Sequence, residues 1–308
     1  MNKKYYRIAI HGGAGNLQNH QFSAEVVNQY KSSLHDCIKK ASGLLATGGS
    51  ALDAVTLAVQ TLEDDPLYNA GKGSVLTNNG IHEMDASIMN GIDKSAGSVC
   101  AICHTKNPIL LCREVMNTEF VMLQGVEADK LAEERGLEVM SNSWFTTNFR
   151  LSQLRDLKDS RKTQLDHTPK EDKYGTVGAV AIDHAGNVAA ATSTGGMTNK
   201  RYGRVGDSAI IGCGTYASND SCAVSCTGWG EYFIRNTMAS RIAGRMEFAD
   251  QTLEESVLHT MSELKEMGGD GGVIAIDHFG SLIIDFNTPG MYRAWKKEEG
   301  EIQTAIFK

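Results

Sequence analysis

The chain has 308 residues, enough to bury a sizeable core as one large domain or two ordinary ones, and 41% hydrophobic with 22% charged residues describes a soluble globular protein. A net charge of −7 opposes a nucleic-acid surface, since phosphate binding needs a concentrated positive field. No window approaches the ~18 consecutive apolar residues of a membrane span, and 32 glycines against 4 prolines suggest many tight backbone approaches on a regular scaffold.

In chain order, "YYRIAI" (5–10) reads as a buried strand running into a glycine-rich turn, "HGGAGN" (11–16). The short "IAI" falls well below the apolar length of an export signal. Seven scattered cysteines, an odd number, then read as reduced thiols, and the expected location is the cytoplasm. Apolar residues at helical spacing predict a helix over 23–46, ended by Gly48-Gly49. Ser50 is the N-cap expected for the next helix, "SALDAVTLAVQTLED". A turn-rich loop (64–80), strands near 82–90 and 96–104, and helices over 107–116 and 118–135 follow. From 141 to 174 dense mixed charge with few large apolar side chains predicts a mobile spacer. After it come a strand hairpin turning at Gly186-Asn187, one helix over "GWGEYFIRNTMASRIAGRM" and another over "TLEESVLHTMSELKEM". "AIDHAGNV" (181–188) returns as "AIDHFGSL" (275–282), which predicts two equivalent hairpins. Strands, then helices, then strands imply an α+β fold with sheets covered by helices.

Some signals point away from chemistry. "CAICH" (100–104) matches a haem-attachment spacing but lies in a strand-like run and is expected to be two buried strand cysteines. "HGGAG" lacks the lysine ending of a phosphate loop and the full dinucleotide spacing. The nine histidines show no paired metal spacing, and no Gly-x-Ser-x-Gly elbow is present.

The seam at Gly175-Thr176 is different. A hydroxyl is a weak nucleophile until a base takes its proton. A threonine freed at its own N-terminus carries that base in its α-amine, whose pKa of ~7.7–8 lies near working pH. Its β-branch restricts χ1 and helps aim the oxygen. Glycine before the scissile bond tolerates unusual backbone angles, and a mobile spacer upstream lets the cut end depart. Alone, Gly-Thr before a strand is usually structural.

The segments "IAIHGGAG", "GGSALDAV", "LEDDPLYNAGKGSV", "EMDASIM", "GTVGAVAID", "STGG", "GRVGDS", "CTGWGE" and "FNTPGMYRAW" occur in one order over nearly the whole chain outside the 141–174 spacer. Together they resemble the plant-type (type III) asparaginase and isoaspartyl peptidase family of Ntn hydrolases. The resemblance implies an α+β, four-layer αββα Ntn-hydrolase sandwich as a single domain (1–308). It implies autocleavage between Gly175 and Thr176 into fragments 1–175 and 176–308, the spacer closing the first of them. Thr176 would be the nucleophile and Thr194 would tune its amine. Thr227 and Gly228 would form the oxyanion hole, and Asn69 would lie beside the nucleophile. Arg204, Asp207 and Gly230 would hold substrate, together with Thr227 and Gly228. No catalytic cofactor is implied, but a structural sodium ion would sit among Leu62, Glu63, Asp65, Tyr68, Ala70 and Lys72, mostly on main-chain carbonyls. The expected assembly is a homodimer of processed αβ heterodimers, with no membrane or nucleic-acid partner.

The substrate class follows from the paired charges. Arginine grips an α-carboxylate in bidentate fashion and aspartate pairs with an α-ammonium. A small molecule with both groups and a cleavable β-amide is asparagine, or a β-aspartyl (isoaspartyl) dipeptide, and either releases L-aspartate. Trp229 and Pro289 depart from the residues common in the family and bear on leaving-group preference. Two rival readings are a glycosylasparaginase-like amidohydrolase and an uncleaved, non-catalytic small-molecule binding protein.

Overall fold

The computed structural model describes residues 5–17, 22–163 and 175–308. Its first strand, β1 (Arg7–Gly15), runs straight through the glycine stretch expected to be a turn. The register slips between His11 and Gly13, so one residue bulges out and pairing resumes. Gly13 has φ +112, and a Cβ there would lie 2.9 Å from the Cα of Gly175. The glycines therefore serve close backbone approach within a strand.

Helices α1 (Ala24–Ala46) and α2 (Ala51–Glu63) start at Ser23 and Ser50, whose side chains accept from Val26 N and Asp53 N. β2 (Met84–Asn90) and β3 (Ala96–Ile102) pair antiparallel, and α3 (Pro108–Val115) follows. The single helix expected over 118–135 is instead β4 (Met122–Gln124) and α4 (Gly125–Glu134). Gly125 at φ +59 makes the corner between them.

The expected spacer carries more structure than its composition suggests. Asn142–Phe145 form a 3-10 turn and α5 spans Asn148–Thr163. Phe145 is fully buried, and Arg150 and Leu154 nearly so, and Trp144 packs against the same core as Phe145, so a few anchors fix a segment rich in polar residues. The remainder of the spacer, 164–174, lies outside the described residues.

β5 (Val177–Ile182) and β6 (Val188–Thr194) form the first hairpin, followed by β7 (Thr215–Ala217) and β8 (Cys222–Gly228). The helix expected over 228–246 is broken into α6 (Gly230–Asn236) and α7 (Met238–Ala249) by Thr237, held left-handed at φ 46. α8 (Leu253–Glu266) opens with a capping box from Thr252 to Glu255. β9 (Gly271–Asp277), β10 (Leu282–Phe286), β11 (Gly290–Lys297) and β12 (Gln303–Phe307) complete the chain.

The repeated phrase has a physical meaning. Asp183 Oδ1 accepts from Ala185 N and Asn187 N, and Asp277 Oδ1 accepts from Phe279 N and Ser281 N, so one aspartate ties each hairpin loop in the same way. The other oxygen of Asp183 accepts from Ala51 N, which fixes the start of α2 to the hairpin.

The strands form an eight-stranded sheet, β12-β11-β1-β5-β6-β2-β3-β4, and a four-stranded sheet, β10-β9-β8-β7. Alternation along the strands sorts the apolar residues into separate cores. Ile8, Ile10, Ala179, Ala181 and Ala191 pack against α1 and α2. Ala9, Val180, Ala190, Ala223 and Ile274 belong to a second core to which both sheets contribute. Val224, Cys226 and Val273 of the smaller sheet pack against Phe233, Ile242 and Val257. Among the described residues no helix is long and apolar enough to cross a membrane.

Candidate active site

Thr176 stands immediately before β5 and is buried. Its Oγ1 donates to Thr194 Oγ1 at 3.2 Å, across the β5–β6 hairpin from the last residue of β6. The Gly175 carbonyl, on the other side of the Gly175–Thr176 bond, accepts from Asn69 N at 3.2 Å. Asn69 is itself immobilised. Its carboxamide donates to Gly196 O and accepts from Val75 N, both at 2.8 Å, while its carbonyl accepts from Gly195 N at 2.9 Å. A side chain at Gly175 would run into the Cβ of Asn69, so only glycine fits at the seam.

His11 grips the next carbonyl. Its Nδ1 lies 3.0 Å from Thr176 O and its Nε2 3.0 Å from Ser225 Oγ. Burial drives its pKa down to about 3, so the ring is neutral. A neutral ring facing a carbonyl must carry its proton on Nδ1, which leaves Nε2 to accept from the serine. Ser225 continues into Thr192 (2.7 Å), Thr215 (2.6 Å) and Ser87 (2.8 Å), a chain of buried hydroxyls joining the two sheets. Sequence reasoning grouped His11 with the other histidines. The available signal was strand alternation, which puts it on the same face as Ala9, toward the other sheet.

Thr227, near the end of β8, is fully buried, and its Oγ1 accepts from Ala14 N at 3.3 Å. The hydroxyl proton is left to be donated elsewhere. The segment His11–Ala14 thus reaches both sides of the site: Gly13 abuts Gly175 while Ala14 holds Thr227. Gly228 has φ 154, and a Cβ there would collide with Asp270 O and Gly271.

The charged part lies between β6 and β7. Arg204 offers Nε and Nη2 to the two oxygens of Glu231, both at 2.9 Å. Glu231, in the first turn of α6, was not singled out from sequence; only its position directly after Gly230 marked it. Asp207 is buried, and its Oδ2 has no hydrogen-bond partner among the described residues. Burial outweighs the neighbouring Arg204 and pushes the Asp207 carboxyl up to about 7. A Cβ on Gly230 would sit 2.7 Å from Asp207 Oδ1 and 3.0 Å from Arg204 Nη2, so the missing side chain leaves that space open.

Gly196 joins the charged part to the threonines. Its N–H donates to Thr194 Oγ1 at 3.0 Å, its carbonyl accepts from Asn69, and a Cβ on it would lie 3.3 Å from Arg204 Nη1. The structure therefore gathers Gly175, Thr176, Thr194, Asn69, Arg204, Asp207 and Gly230 around one stretch of backbone. Thr227 and Gly228 enter from the smaller sheet.

The loop after α2 folds tightly on itself. Lys72 N donates to Glu63 O at 2.7 Å, and Tyr68 N to Asp65 O at 3.3 Å. Gly73, at φ +101, has the carbonyls of Pro66 and Tyr68 at 2.6 and 2.8 Å from where a Cβ would be, a cradle of oxygens that only glycine leaves open. Glu63 Oε1 accepts from Ile109 N and Ser193 Oγ, tying the loop to α3 and β6. Elsewhere, Cys100 is buried in β3 and Cys103 lies just beyond it. No group of three or more metal-binding side chains occurs among the described residues.

Comparison with known proteins places this geometry in context. The asparaginase family model matches residues 4–306. The chain is 46% identical over 307 residues to the isoaspartyl peptidase of Escherichia coli (strain K12), covering 98% of this chain and 96% of that protein. It is 41% identical over 295 residues to the isoaspartyl peptidase/L-asparaginase of Xenopus laevis, covering 95% and 92%. Against the isoaspartyl peptidase/L-asparaginase of Mus musculus the identity is 39% over 301 residues, covering 97% and 90%.

Proposed function

The chain belongs to the asparaginase family, and from that premise we propose that it is an autoprocessing N-terminal threonine hydrolase. It cuts β-aspartyl (isoaspartyl) peptides and L-asparagine and releases L-aspartate. The observation that carries the reading is the seam: Thr176 Oγ1 in hydrogen bond with Thr194, next to a Gly175 carbonyl held by Asn69 N–H. We include in it the four-layer αββα Ntn-hydrolase sandwich, which the order of the three apolar cores supports, and a homodimer of processed αβ units.

Each group then has a task. Scission frees the Thr176 amine, which takes the proton of its own hydroxyl as that oxygen attacks the substrate amide carbon. Thr194 fixes the hydroxyl from one side, and His11 fixes the Thr176 backbone through its carbonyl. Thr227 already accepts from Ala14, so its proton is directed to the developing oxyanion, with Gly228 N–H as the second donor. Losing one such donor typically costs ~2.7–4 kcal/mol of barrier.

Substrate enters by its two charges. Glu231 occupies one edge of Arg204, leaving the Nη1 end for the α-carboxylate beside the bare backbone of Gly196 and Gly206. Asp207 Oδ2, without a hydrogen-bond partner among the described residues, takes the α-ammonium. Deacylation by water restores the threonine. The loop carbonyls of Leu62, Glu63, Asp65, Tyr68, Ala70 and Lys72 would hold a structural sodium ion, which would stiffen the loop that carries Asn69; of these, Tyr68 O lies beside the bare backbone of Gly73, while Glu63 O and Asp65 O also accept from Lys72 N and Tyr68 N.

Denaturing electrophoresis with mass spectrometry tests the reading. The purified protein is expected as fragments 1–175 and 176–308, the second beginning at Thr176. Thr176→Ala is expected to stay whole and to hydrolyse neither substrate; turnover retained in that variant would refute the mechanism.

A further inference from the structure

Gly175 lines a cavity of about 180 Å³ together with Asn69, Tyr30, Tyr68, Tyr292 and Arg150. Arg150 comes from α5 and is 8% exposed. Its Nε donates to the Gly73 carbonyl at 2.6 Å and its Nη1 to Gln153 Oε1 at 3.1 Å. Both acceptors are neutral. Among the described residues no carboxylate is paired with this guanidinium. Asp65, which is coupled electrostatically to Tyr30 and Tyr68, is engaged instead by Leu67 N–H and Ser33 Oγ. Among the described residues this buried cation faces only neutral groups, and a charge so placed is costly to keep.

Scission supplies an anion at this place. Thr176 Oγ attacks the Gly175 carbonyl carbon and its proton passes to the departing Thr176 nitrogen, so the amide is exchanged for an ester. Water then cleaves the ester, leaving a carboxylate on Gly175, the threonine hydroxyl restored and a free α-amine. One negative charge has appeared on a residue in the wall of the cavity that holds Arg150.

We propose that Arg150 receives the newly formed Gly175 carboxylate in this cavity and seats the cut end of the first fragment there. The assignment rests on the processing reading above. A seat of this kind has a functional purpose. Arg204 is built to read carboxylates, so a loose Gly175 end would be a tethered competitor for substrate; pairing with Arg150 keeps it out of that pocket.

The test compares Arg150→Gln and Arg150→Lys, each in the processed chain and in the Thr176→Ala background, which generates no Gly175 carboxylate. Arg150→Gln is expected to lower Tm by about 3 °C more in the cut chain than in the uncut one. Arg150→Lys, which keeps the charge without the fork, should recover part of that excess and carries the same comparison if the Gln variant does not fold. In the processed proteins, carboxypeptidase should release Gly175 from the 1–175 fragment about tenfold faster in Arg150→Gln than with Arg150 intact, read by mass spectrometry, a factor equivalent to 1.4 kcal/mol. Equal Tm losses in cut and uncut chains, or equal release rates, overturn the pairing and leave the processing standing. An unbroken wild-type chain overturns both.

Discussion

Gly196 binds two parts of the site, Thr194 and Asn69, through groups that every residue has, and what sets it apart is the side chain it lacks beside a third, Arg204. With φ +77 and Arg204 Nη1 at 3.3 Å from the missing Cβ, Gly196→Ala combines backbone strain with a wedge against the guanidinium. Strain of this kind costs roughly 1–2 kcal/mol of folding stability, and the displaced guanidinium is expected to raise KM for asparagine about tenfold with kcat little changed. Asp207 makes a prediction of a different sort. Its carboxyl, pushed up to about 7, is neutral below that pH and must ionise to meet an ammonium. KM for asparagine should therefore rise as pH falls through about 7, and Asp207→Asn should remove that acid-side change in KM while weakening binding at pH 8. A wild-type KM that stays flat from pH 8 to 6 would take Asp207 out of the ammonium site. At this scale the sequence is most informative where chemistry demands a residue type: Thr176, Thr194, Asn69, Arg204 and Asp207 all lie in motif segments that the fold brings together. His11 and Glu231 were missed because each acts by holding another residue, and a supporting hydrogen bond leaves no spacing rule in the chain.

Elements were legible where a periodic pattern ran undisturbed and ended in a clear cap, as for α1 and α2 with Ser23 and Ser50. They were misjudged where one residue changed the backbone direction. Gly125 divides an expected helix into β4 and α4, Thr237 divides another into α6 and α7, and the glycines of β1 continue a strand instead of ending it. At Gly125 and Thr237 a single left-handed residue overrides the local pattern, and at β1 the close approach of Gly175 does. The repeated hairpin phrase was read correctly, and its two aspartates allow an internal comparison. Asp277 satisfies two loop N–H groups, whereas Asp183 satisfies two and also the start of α2 through Ala51 N. At roughly 1 kcal/mol per lost backbone partner, Asp183→Ala should cost about 3 kcal/mol in urea unfolding and Asp277→Ala about 2. A larger loss for Asp277→Ala would contradict the shared geometry.

Over the whole molecule, the two-sheet arrangement could be inferred from element order, but the sheet sequence β12-β11-β1-β5-β6-β2-β3-β4 could not, because pairing partners lie far apart in the chain. His11 gives this scale a pH signature, since it reaches from β1 to Thr176 O and to Ser225 on the smaller sheet. Its folded pKa of about 3 lies below the ordinary 6.5, so the unfolded chain binds the extra proton between those values. Its contribution is complete above pH ~6.5 and drains away as pH falls toward 3. Between pH 6 and 4 the slope of unfolding free energy with pH should be shallower in His11→Gln by about 1.4 kcal/mol per pH unit; identical slopes would mean that His11 is not the group responsible. The alanines shared by the two sheets carry a last consequence. Ala9 and Ala190 of the larger sheet share one core with Ala223 of the smaller, a seam between the two sheets, and Thr176, the proposed nucleophile, precedes a strand on one bank of that seam while Thr227 lies on a strand of the other. A single added methyl group deep in the seam, remote from any substrate, would push the banks apart and, on the proposed mechanism, pull the Thr176 hydroxyl away from Thr227. The enzyme's turnover is thus a ruler for the thickness of its own interior.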